Sequence, residues 1–383
     1  EATATQNEGL LALRAEVLAG EGRLSVIGTG FARSGNGDVQ VVAEQIDAGA
    51  LSALAAAMAS HIEYRATGQI DGAARILLRD WSARIDGRFE LREVRVDAGS
   101  LGPNVQGLSG VFTFGGVIAA DAPISADMNM EAVKFASPEI GLECAGMSGA
   151  VALDDARSPG AQTTQHLRIQ SLKVGETELT DGAIGFRLDG WKSIIVDQTS
   201  WHWLGGTVSS RGVRIGVPWR RIELSLGLQR VDLEKFLALV ARGKATGEGK
   251  VSGIVPVTIE KLASGNKVTF GSGVLAAEPG GRLAVTDLPA FAAAMRESPS
   301  DPGKIKQHIL DAISDFEFDT LRTELHQEPQ GLTAMTRISG RGRSGARQAL
   351  DLDLRVRGLD VLLNSYLGLR EKFASPTTRG TAN

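Results

Sequence analysis

Long stretches of this chain alternate apolar and polar side chains with a period of two, and few alternate with the period of a helix. Between Arg221 and Val231, the residues Ile222, Leu224, Leu226 and Leu228 interleave with Glu223, Ser225, Gly227 and Gln229. Near the other end, Leu350, Leu352, Leu354 and Val356 interleave with Asp351, Asp353, Arg355 and Arg357. Successive side chains of a strand point to opposite faces, so each stretch is a strand with one apolar face. Gly, Asp, Ser and Pro clusters separate further expected strands at 23–33, 38–46, 74–78, 84–96, 110–119, 124–136, 146–153, 166–174 and 179–188. Long amphipathic helices that could cover these faces are nearly missing. The apolar faces must therefore meet one another, in a sandwich, a barrel or a folded long sheet.

Composition narrows the choice. A wide interior is normally filled by large aromatics, yet 383 residues include only 12 Phe, 5 Trp and 2 Tyr. The strands offer Leu, Ile, Val and Ala instead. Such an interior can stay partly open and hold acyl chains, because burying apolar surface gains roughly 25 cal/mol per Å². The 47 glycines suit many turns and close backbone approaches. A net charge of -4 gives no reason to expect a nucleic-acid partner. The one cysteine, Cys144, excludes an internal disulfide. No run of 18 apolar residues occurs, so no helix is expected to span a membrane. The opening Glu1-Ala2-Thr3-Ala4 is neither a signal peptide nor a natural start, so a longer parent protein is expected. The polar end, 375–383, reads as disordered.

A supersecondary unit recurs. One strand ends in Ile46-Asp47, another in Val231-Asp232; an Ala/Leu-rich helix follows each, at 50–60 and at 233–240, and Ala-Thr-Gly resumes the extended chain at Ala66 and Ala245. A partial third copy ends in Leu359-Asp360-Val361. Repeated units bury their apolar faces against neighbours and elongate the array. The recurring aspartates read as helix N-caps. Three further helices are expected, at 8–20, 289–296 and 304–313. Asn36-Gly37 signals a hairpin turn within Ser34 to Gly37. Residues 264–267 turn the chain into one strand at 268–274. Thr320 breaks the alternation that starts at Phe316, which predicts a bulge before the strand resumes at Leu321.

Chemistry is sparse. His61, His166, His202, His308 and His326 lack metal-ligand spacing. Cys144 reads as a buried inert thiol. Gly28-Thr29-Gly30 and Gly271-Ser272-Gly273 lack the spacing of a phosphate loop. Glu139 and Glu143 could imitate a glycosidase pair, but no aromatic platform accompanies them. Trp201 and Trp203 share a face if extended, as core or sheet-edge anchors in preference to a platform for ligand stacking. No catalytic residue, metal or cofactor is expected.

One ordered set of motifs carries a resemblance. Trp203-Leu204-Gly205-Gly206 is followed by Val231-Asp232-Leu233, then by Ala245-Thr246-Gly247 running through Gly253 to Val255-Pro256-Val257. Gly271 to Leu275, Pro279 to Gly281, Ser314 to Phe318 and Leu359 to Leu363 complete it. From about residue 190 to 370 the chain resembles YdbH-type proteins of the wider AsmA/TamB-like superfamily. Some domain labels call this region "dicarboxylate transport", although neither a membrane span nor a polar substrate site is visible. The resemblance implies a mainly β fold with a few short helices: an elongated, twisted antiparallel sheet folded into a groove, or β-taco, with an apolar interior. It also implies a periplasmic bridge that conducts phospholipids between inner and outer membranes. An inner-membrane anchor would lie in a missing N-terminal segment. A small YnbE-like outer-membrane lipoprotein would join by strand addition, and a YdbL-like periplasmic protein would assist.

The resulting expectation is a binding and conduit protein, not an enzyme. Residues 1–190 would form a first groove segment and 191–383 a YdbH-like domain with a helical insertion near 288–313. Ile222, Leu224, Leu226, Leu228, Leu350, Leu352, Leu354 and Val356 would line the groove. Trp203, Gly205, Gly206, Asp232, Thr246, Gly247, Gly253, Pro256 and Asp360 would shape turns and strand packing. About twenty strands at ~4.8 Å each would make a rod on the order of 100 Å long. The alternative is an elongated β scaffold of the cell envelope with a packed core. A carbohydrate hydrolase on a β-helix lacks a convincing acid pair, and an outer-membrane barrel lacks aromatic girdles.

Overall fold

The computed structural model describes residues 2–7, 10–19, 21–31, 34–50, 65–97, 104–119, 121–137, 142–156, 158–160, 163–174, 177–216, 218–241, 243–262, 265–277, 279–289, 310–328, 331–342 and 347–354. Strands make up 80% of the described residues and helices 6%. The fold is therefore mainly β, and every recorded pairing between strands is antiparallel. The chain divides into two compact units, Glu1–Lys173 with Asp181–Asp197, and Val174–Thr180 with Gln198–Asn383.

The first unit is a meander. Its strands are β1 (Ala2–Asn7), β2 (Leu10–Ala19), β3 (Gly22–Phe31), β4 (Asn36–Asp47), β5 (Arg65–Arg79), β6 (Ser82–Asp97), β7 (Asn104–Ile118), β8 (Ile124–Ser137), β9 (Leu142–Leu153) and β10 (Gln165–Val174). Each pairs with the next in sequence from β1 to β10. Two more strands, β11 (Thr177–Asp189) and β12 (Ser193–Trp203), contribute residues to both units.

The second unit contains β13 (Gly206–Gly216), β14 (Arg221–Asp232), helix α1 (Leu233–Ala241), β15 (Ala245–Glu248), β16 (Lys250–Leu262), β17 (Gly265–Phe270), β18 (Gly273–Ala277), β19 (Gly281–Val285), β20 (Phe316–Glu328), β21 (Gly331–Arg341) and β22 (Arg347–Leu354). Strand β14 pairs with β16, β16 with β18, β18 with β20, and then β21 and β22 follow. Phe316, Phe318, Ile313, Ile338, Ala277, Val251 and Leu275 are buried in one cluster here.

A device that composition does not announce recurs across both units. Gln45, Glu93, Ala132 and Arg230 all have positive φ, between 47° and 52°. Each sits where the strand register slips: between Ala43 and Ile46, Leu91 and Val94, Met130 and Val133, and Leu228 and Val231. These are β-bulges, which bend and twist a strand. The freed N–H of each bulge residue donates to a side chain on the next strand: Asp71 Oδ1 (2.8 Å), Ser109 Oγ (3.0 Å), Ser148 Oγ (3.1 Å) and Ser252 Oγ (3.0 Å). The residue after each of those acceptors is glycine: Gly72, Gly110, Gly149 and Gly253. A Cβ there would meet a carbonyl oxygen one strand further on, at 2.3, 1.8, 2.6 and 2.1 Å. The residue after each bulge, Ile46, Val94, Val133 or Val231, is buried.

The structure departs from the sequence expectations in several places. Residues 10–19 form strand β2, not a helix. Leucine and alanine there favour helix only weakly, and ladders to β1 and β3 on both edges override that preference. Asn36 and Gly37 lie within β4, and the reversal falls earlier, at Gly35 with φ 66°. The stretch expected as one strand at 268–274 is two strands, β17 and β18, broken at Gly271–Ser272. The break lies beside Pro256, which has no N–H for that side of the ladder while its carbonyl accepts from Gly271 N–H at 2.8 Å. The bulge expected near Thr320 is present, between Phe318 and Thr320. Of the expected helices at 50–60, 289–296 and 304–313, only the ends are described, Ala48–Ala50, Leu288–Pro289 and Leu310–Ile313 being helical. Residues 375–383 lie outside the described residues.

The close approach at the bulges is testable. Gly110→Ala is expected to cost at least about 2 kcal/mol in urea unfolding, because backbone cannot yield cheaply. Gly160→Ala, where nothing lies within 4 Å of the added carbon, should change stability by less than about 0.5 kcal/mol.

Candidate functional site: an apolar sheet face

Antiparallel register converts the period-two pattern of the first unit into rows that cross the strands. One row runs Ala43, Gly72, Phe89, Phe112, Met128, Val151. The next runs Val41, Ala74, Gly87, Phe114, Ala126, Leu153, and a third contains Val39, Ile76, Ile85, Gly116 and Ile124. All lie on one face from β4 to β9, about 24 Å across at ~4.8 Å per step. Beyond the bulges the face continues through Ile46 and Ile70, Val94 and Leu108, and Val133 and Met147. It also extends over β3 and β2, where Leu11, Leu13 and Val17 stand opposite Gly30, Gly28 and Leu24.

The degree of burial sets this face apart. Phe89, Phe112, Phe114, Met128, Met130, Phe135 and Met147 are half-buried, and Leu11, Leu13 and Val17 are exposed. Only its smaller or bulge-following members, such as Ala43, Ala74, Ala126, Cys144, Val94 and Val133, are buried. In the second unit the large apolar residues Phe270, Phe316, Phe318, Ile313 and Ile338 are buried. Glycines open room for the aromatics: a Cβ on Gly87 would lie 2.5 Å from the Phe114 ring. Phe114 stacks with Phe89 at 6.1 Å between ring centroids and tilts against Phe112 at 5.6 Å.

The opposite face of the same strands is charged. Arg75 pairs with Asp38, Arg84 with Asp86, and Arg92 with Glu90. The guanidinium of Arg75, by hydrogen bonding, holds the Asp38 carboxyl below its usual pKa, and Arg84 does the same to Asp86. These exposed pairs are worth little stability each. They do keep that face hydrated while the opposite face stays apolar. Cys144 is on the apolar side, and burial pushes its thiol up to about 11, so it stays protonated and unreactive.

The residues nominated from sequence fall in the second unit. Leu224, Leu226 and Leu228 are half-buried and pack against its buried cluster, and Ile222 is half-buried in the same phase of β14. In β22, Leu350, Leu352 and Leu354 pair with Ile338, Thr336 and Ala334 of β21. Val356 and Asp360 lie outside the described residues. The rows of β5 to β9 were not nominated, although Phe112-Thr113-Phe114 and Met128-Asn129-Met130 carry the same alternation.

The motif residues take recognisable places. Leu204 (φ 46°) and Gly205 (φ 74°) form the two-residue turn between β12 and β13, both with the positive φ of a type I′ turn. Gly206 abuts the bulge, where a Cβ would lie 2.5 Å from Val231 N. Gly22 makes the same approach to Gln45 and Ile46. Trp203 packs edge-on against Phe236 of α1 at 6.5 Å, and Trp201 is buried. Asp232 caps α1, accepting from Glu234 N–H at 3.1 Å, and Asp47 accepts from Gly49 N–H at 2.5 Å. Thr246 and Gly247 pair with Ala284 and Leu283.

Lys250, hydrogen-bonded to Asp232 at 3.1 Å, and the backbone donors of α1 hold the Asp232 carboxyl below its usual pKa. Its stabilising contribution is therefore present above the unfolded carboxylate pKa and fades as pH falls through the lower folded value. Asp232→Ala is expected to lose about 1 kcal/mol at neutral pH and Asp232→Asn less, since asparagine also caps. Urea titrations of the three proteins at pH 7 check this, and the gap to Ala should shrink on acidification.

The family model described as "YdbH-like: Intermembrane phospholipid transport protein YdbH" matches residues 2–358. No curated protein and no solved structure matches the chain.

Proposed function

We propose, on the premise that this chain belongs to the YdbH-like family of intermembrane phospholipid transport proteins, that it is a passive phospholipid conduit. Lipid tails would slide over the apolar face of β2 to β9 while headgroups remain in solvent at the ends of the strands. The observation that carries this reading is the half-buried state of Phe89, Phe112, Phe114 and Met128 in a unit whose other face is charged. Covering such aromatics with acyl chain gains roughly 25 cal/mol per Å². The family is one of lipid transporters, and no reaction is assigned to any residue here.

The finer picture is a periplasmic bridge between inner and outer membranes, with the sheet of each unit curled into a groove by the recurring bulges. Ile222, Leu224, Leu226, Leu228, Leu350, Leu352, Leu354 and Val356 would line a groove of the second unit. An anchor in the inner membrane, a YnbE-like lipoprotein added at a sheet edge and a YdbL-like periplasmic protein complete the assembly. A packed scaffold is the second reading, favoured by the buried cluster of the second unit. Since Leu224, Leu226 and Leu228 abut that cluster, a charge on them would test packing as much as lipid binding.

Native mass spectrometry of the gently purified protein is expected to show bound phospholipid. Phe112→Asp should lower bound lipid about fivefold or more, since a carboxylate on that face opposes acyl chains. Thr113→Asp, on the charged face, should leave it unchanged. A lipid-free, stable wild-type protein would support the scaffold instead.

A further inference from the structure

The register places several turns of the first unit at the same ends of its strands. These are the connections between β3 and β4, β5 and β6, β7 and β8, and β11 and β12. Large apolar residues stand exposed there: Phe31 at the end of β3, Trp81 in the turn after β5, Ile118 at the end of β7, and Trp191 in the turn after β11. Trp81 is 79% exposed and Trp191 59%.

Trp81 is not a residue that its turn favours. Asp80 (φ 48°) and Trp81 (φ 65°) form a two-residue turn in a conformation that glycine or asparagine adopts far more readily. A bulky residue with positive φ is an outlier that asks for a reason. The turn is nonetheless firmly held. Asp80 N–H donates to Asn36 Oδ1 at 3.0 Å, Trp81 N–H donates to Gly35 O at 3.4 Å, and the indole lies over Gly35. Trp191 is fixed by its own indole N–H, which donates to Ala156 O at 3.1 Å, while most of the side chain faces solvent. Ile118 is in phase with Phe112 and Phe114, so the apolar face reaches this rim. Rigid, exposed, amphipathic rings at the border of an apolar face match the zone between acyl chain and headgroup, where indole is favoured.

We infer that Trp81 and Trp191 form an interfacial lip that contacts the glycerol and ester region of phospholipid carried on the apolar face. This rests on the conduit reading. The occupant is cargo lipid, held with its tails inward and its headgroup outward at this rim. The lip would fix the depth of the lipid, so its specificity lies in the shared glycerol–ester region and not in the headgroup.

Tryptophan fluorescence reads this directly. The full chain is loaded with phosphatidylcholine brominated on the acyl carbons near the glycerol, and binding is verified by native mass spectrometry. Wild-type emission is expected to be quenched by about a third or more, because bromine quenches only rings it approaches. W81F/W191F, which keeps an apolar ring at both exposed positions, should bind the same lipid with little quenching of its remaining tryptophans. Equal quenching in both proteins, or none in a loaded wild type, would overturn the inference while leaving the conduit reading standing. Quenching seen only with added vesicles of the same lipid would mean that the rim meets a bilayer surface, and would overturn it too. Failure of the wild-type protein to bind lipid at all would defeat both readings together, whereas loss of binding in W81F/W191F alone would overturn the lip inference and leave the conduit reading standing.

Discussion

Register is the constraint on which the first unit depends, and the bulge hydrogen bonds help hold it. A slip of one residue along any strand would carry its apolar set to the charged face. Side chains of Asp71, Ser109 and Ser148 reach across to the bulge N–H groups of Gln45, Glu93 and Ala132, and a glycine beside each acceptor lets the next strand close in. Those contacts can form in one alignment only. They fix which residues lie in each row, and so make Ala43, Phe89, Phe112, Met128 and Val151 neighbours along one line.

With the same bulge in both units, the difference between them lies in what covers the apolar face. In the second unit, the strands and the helical turn at Leu310–Ile313 bring Phe316, Phe318, Ile313 and Ile338 into a buried cluster. Helix α1, capped by Asp232, adds Leu233, Phe236 and Leu237 to it. In the first unit Phe89, Phe112, Phe114 and Met128 remain half-buried, while Ile46 behind its bulge is buried. A face of this kind is costly in water unless something apolar meets it, and phospholipid is the cargo of the family to which the chain belongs.

Much of the fold was legible in the sequence because side-chain alternation is a local signal. The strands around Arg221 to Val231 and Phe316 to Leu325 and the bulge near Thr320 follow from it, and the cap at Asp232 from an aspartate set just before an apolar helical run. Strand β2 did not, because Leu10 to Ala19 has helix-forming residues and only pairing with β1 and β3 decides the matter. The bulge lock was hidden for a related reason. Gln45, Glu93, Ala132 and Arg230 share no chemistry; they share a position opposite Asp-Gly or Ser-Gly on a neighbouring strand. The apolar rows were hidden as well. Alternation shows which residues of a strand share a face, but only register shows which of them meet across strands.

The central claim is that lipid occupies one face of the first unit and not the other. Photo-crosslinking from adjacent positions in β8 tests it most directly: a photoreactive amino acid at Met128, on the apolar face, against one at Asn129, on the exposed face. Phospholipid captured in cells from position 128 and absent from position 129 is the predicted result. Equal capture from both positions, or none from 128 in a folded protein, would contradict it.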